Sequence, residues 1–118
     1  MSERHSEAVW AAFLNPHHAA PPEPGQRIGR AHEPLTGTWV QLHASVVEGR
    51  VERLSFLARA CPATIAVLDG FCHEARGQAI DSVHVEARDW LQRLAIPTDR
   101  LTRVLLIDDA WRRIQAQR

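Results

Sequence analysis

The sequence predicts an α+β domain, a small antiparallel sheet made of a hairpin with room for a third strand, covered on one face by helices. Three observations predict it. Two runs of alternating apolar residues, over 40–46 and 54–58, flank a glycine. Three later segments change to a helical spacing of apolar positions. A proline- and glycine-rich stretch separates a first short helix from the hairpin. A period of two marks half-buried strands and a period near 3.6 marks helices. Strands followed by a run of helices give the α+β class. At 118 residues the chain is read as a single domain spanning 1–118, long enough to bury a core without disulfide staples.

Each element has its own signal. Trp10, Phe13 and Leu14 fall at i, i+3 and i+4, so residues 3–14 read as a short amphipathic helix that Asn15-Pro16 ends. Residues 16–34 read as a proline-rich arm, a loop or extended segment longer than an ordinary connection. In the first strand of the hairpin Val40, Leu42, Ala44 and Val46 alternate with Trp39, Gln41, His43 and Ser45, which points His43 outward. The turn is Glu48-Gly49-Arg50, and Leu54, Phe56 and Ala58 line one side of the second strand. Pro62 opens a helix at a first-turn position, where its missing N–H costs nothing, and Gly77 terminates it. Val83, Ala87, Trp90, Leu91 and Leu94 place a second helix over 82–95, ended ahead of Pro97. The last helix starts with Thr98 as cap and Asp99 in its first turn, and Leu101, Val104, Leu105, Trp111 and Ile114 form its stripe.

Bulk chemistry excludes several function classes. Formal net charge is zero, so no long-range field draws nucleic acid or an anionic membrane to the chain. No apolar run approaches the length of a membrane span. All fourteen basic residues are arginine, which excludes a lysine Schiff base or lysine nucleophile. Cys61 and Cys72 stand eleven residues apart on one helix, about 16 Å, and cannot bridge there. With a charged opening, MSERHSEAVW, in place of a signal core, the expectation is reduced thiols and a cytoplasmic protein.

Few residues offer chemistry. Cys61 sits at a strand-to-helix corner, where free N–H groups and the positive end of the helix dipole stabilise a thiolate. Two readings of it stand at this point, a small buried hydrophobe at a tight corner or an exposed reactive thiol. Cys72 shares a phase with Ile65 and Leu68 and reads as core. His17 and His18 are neighbours in the arm and need help from elsewhere to converge on an ion; His32, beside Glu33, leads into the hairpin. No paired metal-ligand spacing is present. Asp108 and Asp109 precede Arg112 and Arg113 by four residues and read as surface ion pairs. No glycine-rich phosphate loop or nucleophile elbow occurs.

Four segments in order, EAVWAAFLNPHHAAP, VVEGRVERLSFLARACPATIAV, EARGQ and LAIPTDRLTRVLLIDDAWRRI, resemble the IscU and NifU N-terminal family of iron–sulfur cluster assembly scaffold proteins. The resemblance covers nearly the whole chain and implies an IscU/SufE-like fold and a role in cluster assembly, not an enzyme activity. The family holds its cluster with three cysteines, aided by an aspartate and a histidine. The middle cysteine falls on Cys61. The Cys-Gly-Asp segment falls within His32-Glu33-Pro34, and the histidine-cysteine pair of the last helix falls on Thr102-Arg103, so two cysteines of three are lacking. The chaperone-recognition segment reads Ile96-Pro97-Thr98-Asp99-Arg100, which puts docking to an Hsp70-type chaperone in doubt.

A [2Fe–2S] cluster wants four ligands, overwhelmingly thiolates. The resemblance therefore implies a divergent scaffold that handles metal or sulfur through Cys61. A weak Zn²⁺ or Fe²⁺ site from Cys61, His32 and Glu33 with water, a labile iron–sulfur cluster, and no metal at all stand as equal expectations. Arg103, at the third-cysteine position, would stabilise a Cys61 thiolate. That suits a persulfide acceptor of the SufE type, served by a cysteine desulfurase. A non-catalytic protein-interaction module on the same fold is the third reading.

Overall fold

A computed structural model describes residues 5–117. Three antiparallel strands, β1 (Arg27–Glu33), β2 (Thr38–Val47) and β3 (Arg50–Arg59), lie in the order β1-β2-β3. Around them stand α1 (Glu7–Leu14), α2 (Pro62–Ala75), α3 (Ala87–Arg93) and α4 (Leu101–Gln115). The α+β expectation, helices on one face of a small sheet, matches this architecture. The third strand is β1, which lies inside the segment expected to be an irregular arm. Its sequence RIGRAHE hides the strand, because Gly29 occupies a core-facing position where an apolar side chain would mark the alternation.

Gly29 is there for α4. A Cβ on Gly29 would lie 2.1 Å from the carbonyl oxygen of Ala110, so the helix backbone rests directly on β1. α4 packs across β1 and β2, and α2 packs against β3. Between them, Val40, Leu42, Ala44, Leu54 and Phe56 of the sheet meet Val67, Leu68, Val104, Ile107 and Trp111 in one core. The hairpin turns through Glu48 and Gly49, both at positive φ (52° and 75°), as a two-residue turn matched to strand twist requires. On β3, Glu52 is an extra residue between the pairs Val46↔Val51 and Ser45↔Arg53.

Five further expectations need correction. The helix expected over 82–95 is confined to Ala87–Arg93, because Val83 and Val85 alternate into the core as an extended segment held by Trp111 Nε1 donating to Val83 O at 2.8 Å. Thr98 caps nothing; residues 98–100 form a 3₁₀ turn and Arg100 takes the cap position of α4. In α1, Val9 makes the buried contact while Leu14 is 74% exposed; the start expected at residues 3 and 4 lies outside the described residues. His43 faces away from the helices as expected, yet it is 0% exposed, because the segment before β1 crosses that face of the sheet. This strap pairs with Phe56 at one edge, bonds Arg53 through Glu23 and Ser45 through Gln26, and enters β1 at the other edge. Of the two expected helical pairs, Asp108 meets Arg112 at 2.8 Å, and no ion pair joins Asp109 to Arg113 among the described residues.

Candidate functional site

β3 ends at Arg59, and the chain turns through Ala60 and Cys61 into α2. Cys61 is the N-cap residue, with extended backbone (φ −71°, ψ 162°) and Pro62 behind it. Its carbonyl accepts from Ile65 N at 3.1 Å, the first bond of the helix. The side chain makes no capping bond and stands half-buried at the floor of an open cavity of about 280 Å³. The β1–β2 turn (Thr36, Gly37, Thr38) forms one wall and Arg59 and Arg103 form the others.

Several groups around the sulfur favour its thiolate form. Burial pushes the Cys61 thiol up, but this is outweighed by the Thr64 hydroxyl 3.4 Å from Sγ, the Thr64 N–H dipole directed at it, and the Arg103 guanidinium. The net direction is down from an ordinary thiol. Thr64 is fully buried, and Arg103 projects from the first turn of α4. Cys72 is the opposite case, fully buried in the core with its thiol pushed well up by burial and by Asp69.

The remaining predicted ligands are elsewhere. Glu33 does not face Cys61. Its carboxylate folds over the β1–β2 turn, accepting from Leu35 N at 2.8 Å, Thr36 N at 2.9 Å and Thr36 Oγ1 at 2.7 Å, and those bonds hold its pKa below the usual carboxylate range. His32 is exposed beside Trp39 on β2. Because β1 extends through Glu33, the turn residues facing Cys61 are Thr36–Thr38, several positions beyond the expected His32-Glu33-Pro34. Among the described residues no group of three or more His, Cys, Asp or Glu side chains is gathered to hold a metal ion.

Cys61 and Arg103, both singled out in the sequence, lie together at this cavity, and Thr64 and Arg59, not singled out there, lie beside them. Thr64 had a signal. Cys61 and Thr64 occupy the N-cap and N3 positions of α2, the spacing at which capping partners reach one another. Arg59 had none, since an arginine two residues before a cysteine is ordinary at a strand end.

A family profile described as NifU-like N terminal domain matches residues 4–115. No curated protein matches the sequence significantly. Among solved structures, the chain is similar to a candidate iron–sulfur cluster assembly scaffold protein for the SUF system from Fervidobacterium islandicum AW-1, with TM-score 0.71 and 10% identity, covering 95% of this chain and 94% of that one. It is similar to the N-terminal part of a nitrogen-fixing NifU-like protein from Brucella abortus, with TM-score 0.70 and 16% identity, covering 96% and 95%. A hypothetical protein of known crystal structure is also similar, with TM-score 0.67 and 16% identity over 92% and 91%. At these identities the likeness speaks for the fold, and the profile match over nearly the whole chain speaks for descent. The chain belongs to the NifU-like N-terminal domain family, which at the family level is one of iron–sulfur cluster assembly scaffolds.

Proposed function

We propose that this chain serves iron–sulfur cluster assembly as a single-cysteine sulfur acceptor, taking sulfane sulfur from a cysteine desulfurase onto Cys61. The observation that carries the reading is the pairing of Cys61 Sγ with Thr64 and Arg103 in an open cavity whose further cation is Arg59. The donor set does not fit a resident cluster or metal ion. One cysteine sulfur stands among guanidinium groups, which attract anions, and the Glu33 oxygens are engaged in the β1–β2 turn.

The chemistry is a displacement at sulfur. The Cys61 thiolate attacks the outer sulfur of the donor's cysteine persulfide. A new S–S bond forms at Sγ, the donor's S–S bond breaks, and its electron pair leaves with the donor cysteine as a thiolate. No external oxidant or reductant is required. Arg103 is suited to both ends of the step, because attacking thiolate and product persulfide are both anions.

The test is incubation with a cysteine desulfurase and free cysteine, followed by intact-mass and peptide analysis. One added sulfur on Cys61, absent in Cys61→Ser and slowed in Arg103→Gln, is the expected result. Sulfur loading that survives Cys61→Ser, or no loading of the native chain by any desulfurase that acts with relatives of this family, overturns the proposal.

A further inference from the structure

At the other end of α2 from Cys61, the strap and β3 enclose a cavity of about 520 Å³. It exists because the free edge of β3 is paired at two places and open between them. Phe56 pairs with the strap, donating to His18 O at 3.0 Å and accepting from Ala20 N at 3.1 Å. Val51 pairs with the segment after α2, accepting from Gly77 N at 2.7 Å and donating to Gln78 O at 2.9 Å. Leu54 stands two residues before Phe56, so its N–H turns to the same edge. Among the described residues no segment outside the sheet accepts a backbone bond from it.

Further donors converge on the gap. Gln41 Nε2 lies 2.9 Å from His43 Nε2, and an amide nitrogen only donates, so Nε2 accepts. The proton of this buried imidazole then sits on Nδ1, which donates to Ser55 Oγ at 3.0 Å. The hydroxyl proton of Ser55 is left to point away from His43, and Ser55 lines the cavity. Arg76, at the C-cap of α2, has no ion pair among the described residues. Arg53 is held by both carboxylate oxygens of Glu23 at 3.1 Å, and Glu52, the bulge residue, is the one carboxylate in the lining.

We propose that this cavity is an oxyanion site for a phosphate-class group, either free or as the end of a phosphomonoester, held by Arg76, the Ser55 hydroxyl and the Leu54 N–H. A guanidinium fork with neutral N–H and O–H donors is the arrangement that tetrahedral oxyanions take. The cavity exceeds a single phosphate, which leaves space for an attached organic group. His18 is the group that would respond. Burial lowers its basicity first; Asp69 opposes this, and Arg76, His73 and His17 add to it, with Arg53 and Glu52 facing it across the cavity. An anion placed among these cations offsets their repulsion and draws a proton onto His18.

The experiment is a titration of the full chain with inorganic sulfate, whose charge is constant, at about pH 6 and about pH 8, followed by NMR and calorimetry. Saturable shifts at His18 and Ser55, tighter binding at the lower pH and proton uptake are expected. Arg76→Gln weakens binding by about tenfold or more, and Glu52→Gln tightens it; both side chains are exposed, so neither variant disturbs the fold. Cys61→Ser leaves binding unchanged, which separates this site from the sulfur chemistry. Comparison of inorganic phosphate with glycerol phosphate then assigns the source: equal affinity marks a free-ion site, tighter ester binding a phosphomonoester site. Shifts that do not saturate, or that are unaffected by Arg76→Gln, overturn the proposal.

Discussion

Gly29→Ala is the substitution that most directly tests how the fold positions the Cys61 site. The new Cβ would lie 2.1 Å from Ala110 O, 3.0 Å from Ile114 Cγ1 and 3.1 Å from Ala110 C. The nearest atom is a helix carbonyl, so no rotamer change relieves the clash, and α4 must retreat from β1 by about 1 Å. Overpacking of this kind costs about 1–3 kcal/mol, and a backbone partner puts it at the upper end. Replacing glycine in a strand returns roughly 0.5 kcal/mol through the unfolded chain. The net is a loss of about 2–2.5 kcal/mol, or a drop in Tm of roughly 10 °C for a chain of this length.

Urea and thermal denaturation measure the loss, and alkylation of Cys61 in native buffer measures its reach. Arg103 lies two turns before Ala110 on α4, so displacement of the helix should also slow alkylation. Ala110→Gly supplies the control. It removes a methyl group and leaves the offending carbonyl, so the double variant should be no more stable than Gly29→Ala alone. A Tm within a degree or two of the native value, or rescue by Ala110→Gly, would refute the direct seating of α4 on β1.

Three further outcomes are expected. Gly70→Ala drives a Cβ to 2.6 Å from the Trp90 ring and should destabilise the native chain; in a Trp90→Leu background the same change should stabilise by about 1 kcal/mol through helix propensity, and denaturation of the four-member cycle checks the reversal. Arg103→Gln and Thr64→Val should each move the Cys61 titration up, so that alkylation slows near neutral pH and converges with the native rate in alkali, whereas Cys72 stays unreactive until the chain unfolds. Because Glu33 is held below its ordinary value of 4.5, its contribution to the β1–β2 turn is present above that value and is lost as pH falls through the depressed one; the Leu35 and Thr36 amide resonances should move in that acid range and not in Glu33→Gln.

The sequence carried the parts of this molecule that depend on local chemistry. The hairpin was legible because its alternation and its Glu48-Gly49 turn lie within one contiguous stretch, and α2 because Cys61-Pro62 marks its start. β1 was not legible, since its core-facing positions are Gly29 and Ala31 and its strand identity comes from pairing with β2. The resemblance puts the family's Cys-Gly-Asp segment at His32-Glu33-Pro34, whereas the turn residues that line the Cys61 cavity are Thr36–Thr38, none of them ligand-like enough to attract notice in the sequence. Arg103 came from family resemblance alone, because nothing local says that the first turn of α4 meets the start of α2. The burial of His43 depends on a strap that closes only in three dimensions.

The charge at the Cys61 cavity is the physical basis of the proposed sulfur transfer. A fixed guanidinium near a donor atom acts with opposite sign on the two cargoes of cluster assembly. It repels an iron cation approaching the thiolate, and it attracts the thiolate, the persulfide and the anionic donor alike. Arg59 and Arg103 beside the Cys61 N-cap therefore favour anions over cations in this cavity. Sulfur transfer needs one nucleophile and a stabilised leaving thiolate, whereas a cluster needs four donors at once. A site with one cysteine can therefore perform the first task without the second. Thr64 adds to this, its buried hydroxyl lying 3.4 Å from Cys61 Sγ with no other side-chain partner among the described residues.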